Sequence, residues 1–478
     1  MRKYLGVALS VVAVLCLVLL FFLSAPDTPG IPEAEVKPSE AYDIALVVDT
    51  HSDTLLKITN NTNWLPLVDI GNETPFDIDI PKLRRGGVNV QYFGAFTSGY
   101  YSGGQPDYTK ANSRLLSLFN ALYWTIDKNP ASIGLAKTVE GINNLAADGR
   151  LAAVISIEGA YSIDEKYGIE LLRQYYDLGV RAAGLTWNHS NALGEGVNKA
   201  YMDGTPSKGG LTALGRKVVA EANRLGIIID VSHMNEETFW DVMEFSNAPV
   251  IASHSGVYNL RNHVRNLKDD QIRSLAEKGG VVQVVFYPEF LAGPEAVVNV
   301  NTIVDHIDYI ANLVGAEHVG IGSDFDGAPM PEDLPDASMI PKIEKELNRR
   351  GYEKSQIEKI MGKNTMRVME DVWGRADIRK DSAAAPTIKP MLDMGQAVTG
   401  NPPVLTAVIE GDEGTSPDIS GISVIVDGRV YTPKFDAQTA TASLKLPEPL
   451  KEKFHVVTFR ADSHSGEQAR ETRIFYIR

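Results

Sequence analysis

Five short segments of this chain end in side chains that bind cations or move protons. They are Asp49-Thr50-His51-Ser52-Asp53, Ile157-Glu158-Gly159, Asp230-Val231-Ser232-His233, Ala252-Ser253-His254-Ser255 and Gly322-Ser323-Asp324-Phe325-Asp326-Gly327. Side chains of an extended segment alternate between two sides, so His51 and Asp53, two positions apart, can face one ion. Any one of these histidines taken alone reads more simply as a hydrogen-bonded structural residue. Three of only nine histidines, together with Asp53 and Glu158, nevertheless fall at the ends of inferred strands. Buried imidazoles and carboxylates are costly without partners, and a divalent cation is the simplest partner they could share. A nitrogen and oxygen donor set without sulfur suits zinc, with Mn2+ or Fe2+ left open. Five ligands exceed the three protein ligands of a typical single catalytic zinc, so two ions sharing a carboxylate fit better. The chain has no HExxH, no GxSxG and no complete Walker A sequence, which removes the commonest zincin, serine-hydrolase and P-loop chemistries.

The elements that position these residues are legible as short β-branched runs: ALVVD, VNVQYFGAF, AAVISIEG, RAAGLTW, GIIIDVSH, PVIASHS, GVVQVVFY and HVGIGSDFDG. Most are followed by a stretch with helical spacing, such as LTALGRKVVAEANRLG. Continuous apolar runs are what parallel strands covered on both faces require. The pattern predicts a (β/α)8 TIM-like barrel over residues 41–376, with helical insertions after the first strands. Such a barrel gathers all five segments at the C-terminal mouth. Of the remaining histidines, His306 on a helix, His318 before the eighth strand, and His455 and His464 in the C-terminal part fit structural or solvent-facing roles, whereas His189 and His263, in loops near the mouth, are candidates to back the ligands or to contact substrate.

Of the 478 residues, 44% are hydrophobic and 22% charged, which excludes a wholly disordered chain. The net charge of -15 does not suit a phosphate backbone, so nucleic acid is not an expected partner. The single cysteine, Cys16, lies in an N-terminal apolar run and leaves the folded part without disulfides or thiolate zinc sites. Arg2 and Lys3 precede that run, Leu5 to Leu23, so residues 1–23 read as a signal anchor or signal peptide. Pro26, just after the small-residue site Leu23-Ser24-Ala25, tilts the reading toward an uncleaved anchor. Residues 24–40 are a Pro-rich tether, and everything beyond faces the extracytoplasmic side, either membrane-anchored or secreted. Residues 377–402 return to linker composition, and 403–478 carry alternating strands with turn residues, predicting a C-terminal all-β immunoglobulin-like sandwich.

The segments DTHSD, SIEGAYSID, GLTALGRKVVAEANRLGIIIDVSH, PVIASHSGVYNLRNHVRNL, VGIGSDFDG and GKNTMRVMEDVW, in this order over about 44–373, resemble the membrane dipeptidase (renal dipeptidase) family of zinc peptidases, within the metal-dependent amidohydrolase superfamily. The resemblance implies that His51, Asp53 and Glu158 hold one zinc, and that Glu158, His233 and His254 hold the other. It implies hydrolysis of dipeptides by a metal-bridging hydroxide, with D-residues accepted at the C-terminal position. Asp324 would handle the protons, and Arg265 would pair with the terminal carboxylate. One position departs from the family: Trp187 stands where mammalian-type members carry an oxyanion-stabilising histidine, leaving Asn188 or His189 as replacements or Trp187 as a different pocket wall. Asp326 is expected to be a structural partner of its loop. The alternative activity is that of another binuclear amidohydrolase acting on N-acyl amino acids, lactones or cyclic amides. A homodimer fits the resemblance, and no partner is readable for the β tail.

Overall fold

The computed structural model describes residues 46–98, 108–197, 209–376, 386–411 and 419–478; the expected apolar segment and tether lie outside these residues. No helix among the described residues is long and apolar enough to cross a membrane.

Eight parallel strands form the expected barrel: β1 (Val47–Asp49), β2 (Val88–Phe96), β4 (Leu151–Glu158), β5 (Val180–Gly184), β6 (Ile228–Asp230), β7 (Val250–Ser255), β8 (Val281–Val284) and β9 (Val319–Ile321). A short strand, β3 (Ile133–Leu135), pairs with β4 outside this path. The last strand returns to the first through loop backbone: Asp324 N donates to His51 O at 3.2 Å, and Asp53 N to Phe325 O at 2.9 Å. Alternate strand residues such as Val48, Val90, Val154, Ala182 and Ile251 belong to one buried cluster with Val368, Met369 and Val372 of the helix Asn364–Trp373. Apolar burial on both faces explains why the strands read as continuous hydrophobic runs.

The connecting helices carry the stop signals that fix their ends. In Ala213–Leu225, Thr212 accepts from Gly215 N at the start, and Gly226 closes the end at φ +71°. A side chain at Gly226 would also approach Val372 O to 2.9 Å, so two independent demands require glycine there.

The C-terminal part is a two-sheet sandwich. One sheet has the order β10 (Thr387–Pro390), β12 (Val404–Glu410), β16 (Thr441–Lys445), β15 (Lys434–Asp436). The other has the order β11 (Gln396–Val398), β18 (Gln468–Ile477), β17 (Phe454–Asp462), β13 (Gly421–Val426), β14 (Arg429–Tyr431). Leu405, Ala407 and Ile409 of the first meet Val424, Val457, Phe459 and Phe475 of the second in a common core. The linker expected over 377–402 is corrected here, because β10 and β11 within it belong to the sandwich. Pro390 sits at the end of the edge strand β10, where its missing N–H costs little, and composition alone reads such a strand as linker.

Candidate metal centre and active site

His51, Asp53, Glu158, His233, His254 and Asp324 meet at the C-terminal mouth. Glu158 is the hub: its Oε2 lies 3.3 Å from His51 Nε2, and its Oε1 lies 2.9 Å from His233 Nε2 and 3.7 Å from His254 Nε2. His51 Nε2 lies 3.8 Å from Asp324 Oδ1. Ligand atoms of His51, Glu158 and His254, and of His51, Asp53 and Asp324, lie within 4.8 Å of one another. Local backbone makes this convergence fit. Gly94 in β2 leaves room for the His51 imidazole, whose Cε1 would stand 3.1 Å from an added Cβ. Gly322 lets β9 end against Ser253 O, only 1.7 Å from where a Cβ would be. His233 (φ 67°) and Asp324 (φ 66°) lie beyond their strands in the left-handed region, which aims them by a turn rather than by strand alternation.

Hydrogen bonds orient the imidazoles from behind. Asn188 Oδ1 lies 2.7 Å from His233 Nδ1, and Ser253 Oγ lies 2.7 Å from His254 Nδ1. Ser253 Oγ also lies 2.5 Å from Asp230 Oδ2, and Asp230 Oδ1 accepts from Ser232 N and Ser253 N. Such partners fix tautomer and ring direction in metal sites. Asn188, expected as a substrate contact, thus stands behind His233. At the seam Asp49 instead pins the turn that carries Asp324, accepting from Ser323 N at 2.8 Å and Ser323 Oγ at 2.7 Å. The backing roles of Asp49 and Asp230 were missed, although both acids occupy strand ends just before the ligand segments.

The electrostatics of the cluster are set by burial and by the charges its members place on one another. Burial pulls His51 down, but Glu158, then Asp324 and Asp53, drive it up to about 10. Burial and then Arg265 push His233 down to about 3, and burial followed by His51 lowers His254. Burial and then Glu158 raise Asp53, and burial raises Asp324 to about 7. His51 Nδ1, Asp53 Oδ1 and Glu158 Oε2 are buried without a hydrogen-bond partner. Orphaned donors of this kind, with neutral imidazoles at His233 and His254, fit a divalent cation.

The rest of the mouth is arranged around that cluster. Arg265, 3% exposed, donates from Nη2 to His254 O at 3.3 Å, and its guanidinium carbon stands 5.2 Å from the Phe290 ring centroid. Trp187 is half-buried; its ring meets Phe96 edge-on at 5.0 Å, stacks on His189 at 5.5 Å and lies 5.9 Å from His233. Tyr161 accepts from Trp187 N and donates to His189 O, pinning this wall by its backbone. Asp326 instead accepts from Thr54 Oγ1 at 2.6 Å and Asp77 N at 2.9 Å, the structural bonds expected of it. His263 packs on Phe290, while His306 is bonded to Val257 N and Leu291 O, away from the cluster.

The model of the membrane dipeptidase family (peptidase family M19) matches residues 40–382. An uncharacterized dipeptidase of Schizosaccharomyces pombe is 35% identical over 347 residues, covering 70% of this chain and 81% of that protein. A metallopeptidase from Rhodobacter sphaeroides, solved with a phosphinate mimic of the dipeptide L-Ala-D-Ala, has a TM-score of 0.60 at 28% identity, covering 69% of this chain and all of its own. A probable dipeptidase of Pseudomonas aeruginosa has a TM-score of 0.62 at 26% identity, covering 71% of this chain and 98% of its own. With its eight-stranded barrel and its mouth of histidines and carboxylates, the chain belongs to the membrane dipeptidase family of metallopeptidases.

Proposed function

We propose that this protein hydrolyses the peptide bond of dipeptides with two zinc ions, and that it accepts a D-residue at the C-terminal position. The reading is carried by the convergence of three imidazoles and three carboxylates on one hub, Glu158, beside a fixed arginine. His51, Asp53 and Glu158 would hold one cation, and Glu158, His233 and His254 the other. When bound, two such cations supply a water acidic enough to attack near neutral pH and positive charge opposite a developing oxyanion.

The chain's own residues do the rest. Asp324, whose carboxyl burial raises above the ordinary value, takes a proton at Oδ1 from the attacking water and returns one to the leaving amine nitrogen. Arg265 binds the substrate's terminal carboxylate through its planar fork, fixing the scissile bond over the cluster. Trp187 and His189 wall the mouth and exclude water. The mimic of L-Ala-D-Ala bound by the Rhodobacter sphaeroides neighbour supports the acceptance of a D-residue. We place the active domain outside the cytoplasmic membrane, carried there by residues 1–23.

The test uses the full chain in detergent, loaded with zinc, against L-L, L-D and D-D dipeptides, with a chelated sample and Asp324→Asn alongside. Turnover lost in the chelated sample and reduced ~10²- to 10⁴-fold by Asp324→Asn, at unchanged zinc content, is the expected result. A folded protein carrying two metals but inactive on the whole panel would sink the dipeptide reading in favour of N-acyl amino acids, lactones or cyclic amides.

A further inference from the structure

Ser162 follows the hub Glu158 by four positions, on the segment that leaves β4, and its buried hydroxyl starts a chain of polar contacts that ends in the sandwich. Its Oγ lies 2.8 Å from the Oη of Tyr175, on the helix Gly168–Asp177. Tyr175 Oη lies 2.7 Å from the Oδ1 of Asn112, on the helix Tyr108–Lys128, and Asn112 Nδ2 donates to Asp427 Oδ1 at 3.0 Å. Asp427 sits in the tight turn between β13 and β14, tied to β17 through Val456 N and His455 Nδ1. The next residue, Gly428, comes so close to the barrel that an added Cβ would stand 2.6 Å from Tyr167 O. Ser162, Tyr175 and Asn112 are all buried, so water does not compete for these contacts.

On its other side Ser162 adjoins Tyr161, which accepts from Trp187 N at 3.2 Å and donates to His189 O at 2.5 Å. One phenol group thereby sets the backbone spacing of the wall whose Trp187 ring lies 5.9 Å from the His233 ring. We infer that the sandwich braces the active site: Asp427, Asn112 and Tyr175 are positioning residues that hold Ser162 and Tyr161, and through them the Trp187–His189 wall. Asn112 Nδ2 has its hydrogen-bond partner on the sandwich, so the barrel's own polar network is complete only with that domain in place. The consequence for turnover rests on the dipeptidase reading, whereas the consequence for the mobility of the wall does not. Arg470, which joins the same two domains at Asp177 and Glu170, lies off this path and serves as the control.

The full chain, zinc-loaded, is compared as wild type, Tyr175→Phe, Tyr161→Phe, the double variant and Arg470→Met. Tyr175→Phe keeps the ring and removes the hydroxyl between Asn112 and Ser162. Two readings are taken well below the unfolding midpoint: kcat and KM on the most rapidly hydrolysed dipeptide, and amide hydrogen exchange of the peptide that carries Trp187. Exchange there is expected to quicken ~3- to 10-fold in Tyr175→Phe, the worth of one hydrogen bond, and kcat/KM to fall by a similar factor at unchanged zinc content. The loss should fall on KM, because the wall binds substrate, whereas a smaller folded fraction would lower kcat alone. The double variant should match Tyr161→Phe in both readings, because Tyr175 acts through that residue, and Arg470→Met should match wild type. Tyrosine effects that multiply, wild-type exchange in Tyr175→Phe, or a wall loosened equally by Arg470→Met overturns the brace. A protein that turns over no dipeptide yet shows the expected exchange pattern keeps the brace and sinks the dipeptidase reading; turnover with wild-type exchange in Tyr175→Phe does the reverse. If Tyr175→Phe does not fold, Ser162→Ala cuts the same path one link nearer the mouth and is judged by the same outcomes.

Discussion

The barrel mouth and the junction between barrel and sandwich are both buried and polar, yet they treat their charges in opposite ways. At the junction the charges and dipoles that meet across it answer one another. Arg470 reaches Asp177 at 2.9 Å and Glu170 at 3.1 Å, and Gln174 bonds Ile425 O, Thr458 and Gly428 N. Asn112 donates to Asp427 while accepting from Tyr175, and Ser113 accepts from Phe454 N. At the mouth, His51, Asp53 and Glu158 each keep a buried atom with no hydrogen-bond partner. A satisfied buried network holds a geometry, whereas an unsatisfied one marks a place built for something else. The contrast separates architecture from chemistry without reference to any relative.

The sharpest way to break the comparison is at the hub. Glu158→Gln is expected to lower kcat/KM by more than ~10²-fold, beyond the effect of losing an outer partner of a metal ligand, with zinc content falling below two per chain by elemental analysis. Full activity in this variant would remove Glu158 from the centre. At the junction, Arg470→Met should leave the half-buried Asp177 without its cation, while Glu170 keeps Arg173, and cost about 1 to 3 kcal/mol of stability by denaturant unfolding. The same variant should keep its dipeptide kinetics. If activity fell as far as stability, the two regions would be one functional unit.

A smaller effect is expected one layer behind the ligands. Ser253→Ala breaks the chain from Asp230 to His254 Nδ1 and should weaken zinc binding ~10- to 100-fold, read by competition with a chelator, with little change in turnover at saturating metal. Unaltered zinc affinity would make the Asp230 network purely architectural, like the junction.

The sequence announced the mouth better than it announced the junction, for a physical reason. Eight buried parallel strands need uninterrupted apolar runs, and ligands must follow those runs, so GIIIDVSH and PVIASHS carry element and chemistry together. What lay outside that logic was missed. The left-handed turns at His233 and Asp324 leave no compositional trace, since neither residue type demands φ > 0. Asn188 looked like a substrate contact because it stands beside Trp187, and only the fold brings it to His233, 45 positions away. The junction draws Gln174, Asn112 and Arg470 into bonds that join segments up to 341 residues apart, and none of these residues stands out from ordinary surface composition. Strands β10 and β11 are short and lie at sheet edges, where alternation has too few residues to register.

The mildest prediction tests whether the junction's completeness depends on pH. His455, 4% exposed, places Nδ1 2.7 Å from Asp427 Oδ2 and Nε2 2.7 Å from Glu452 O. Both neighbours are acceptors, so only the doubly protonated imidazolium satisfies both. Burial opposes that charge, but Asp427, followed by the Glu452 carbonyl, raises the pKa above the ordinary value. A pKa raised in the folded state contributes stability that is fully present below the unfolded value, about 6.5, and is lost as pH rises through the folded value. Wild type should therefore lose about 1 to 2 kcal/mol, the worth of one charge-assisted hydrogen bond, over that upward range relative to His455→Gln. The comparison cancels titrations common to both proteins. Identical pH profiles would mean that neutral His455 keeps the junction satisfied, with Asp427 held instead by Asn112 and Val456 N.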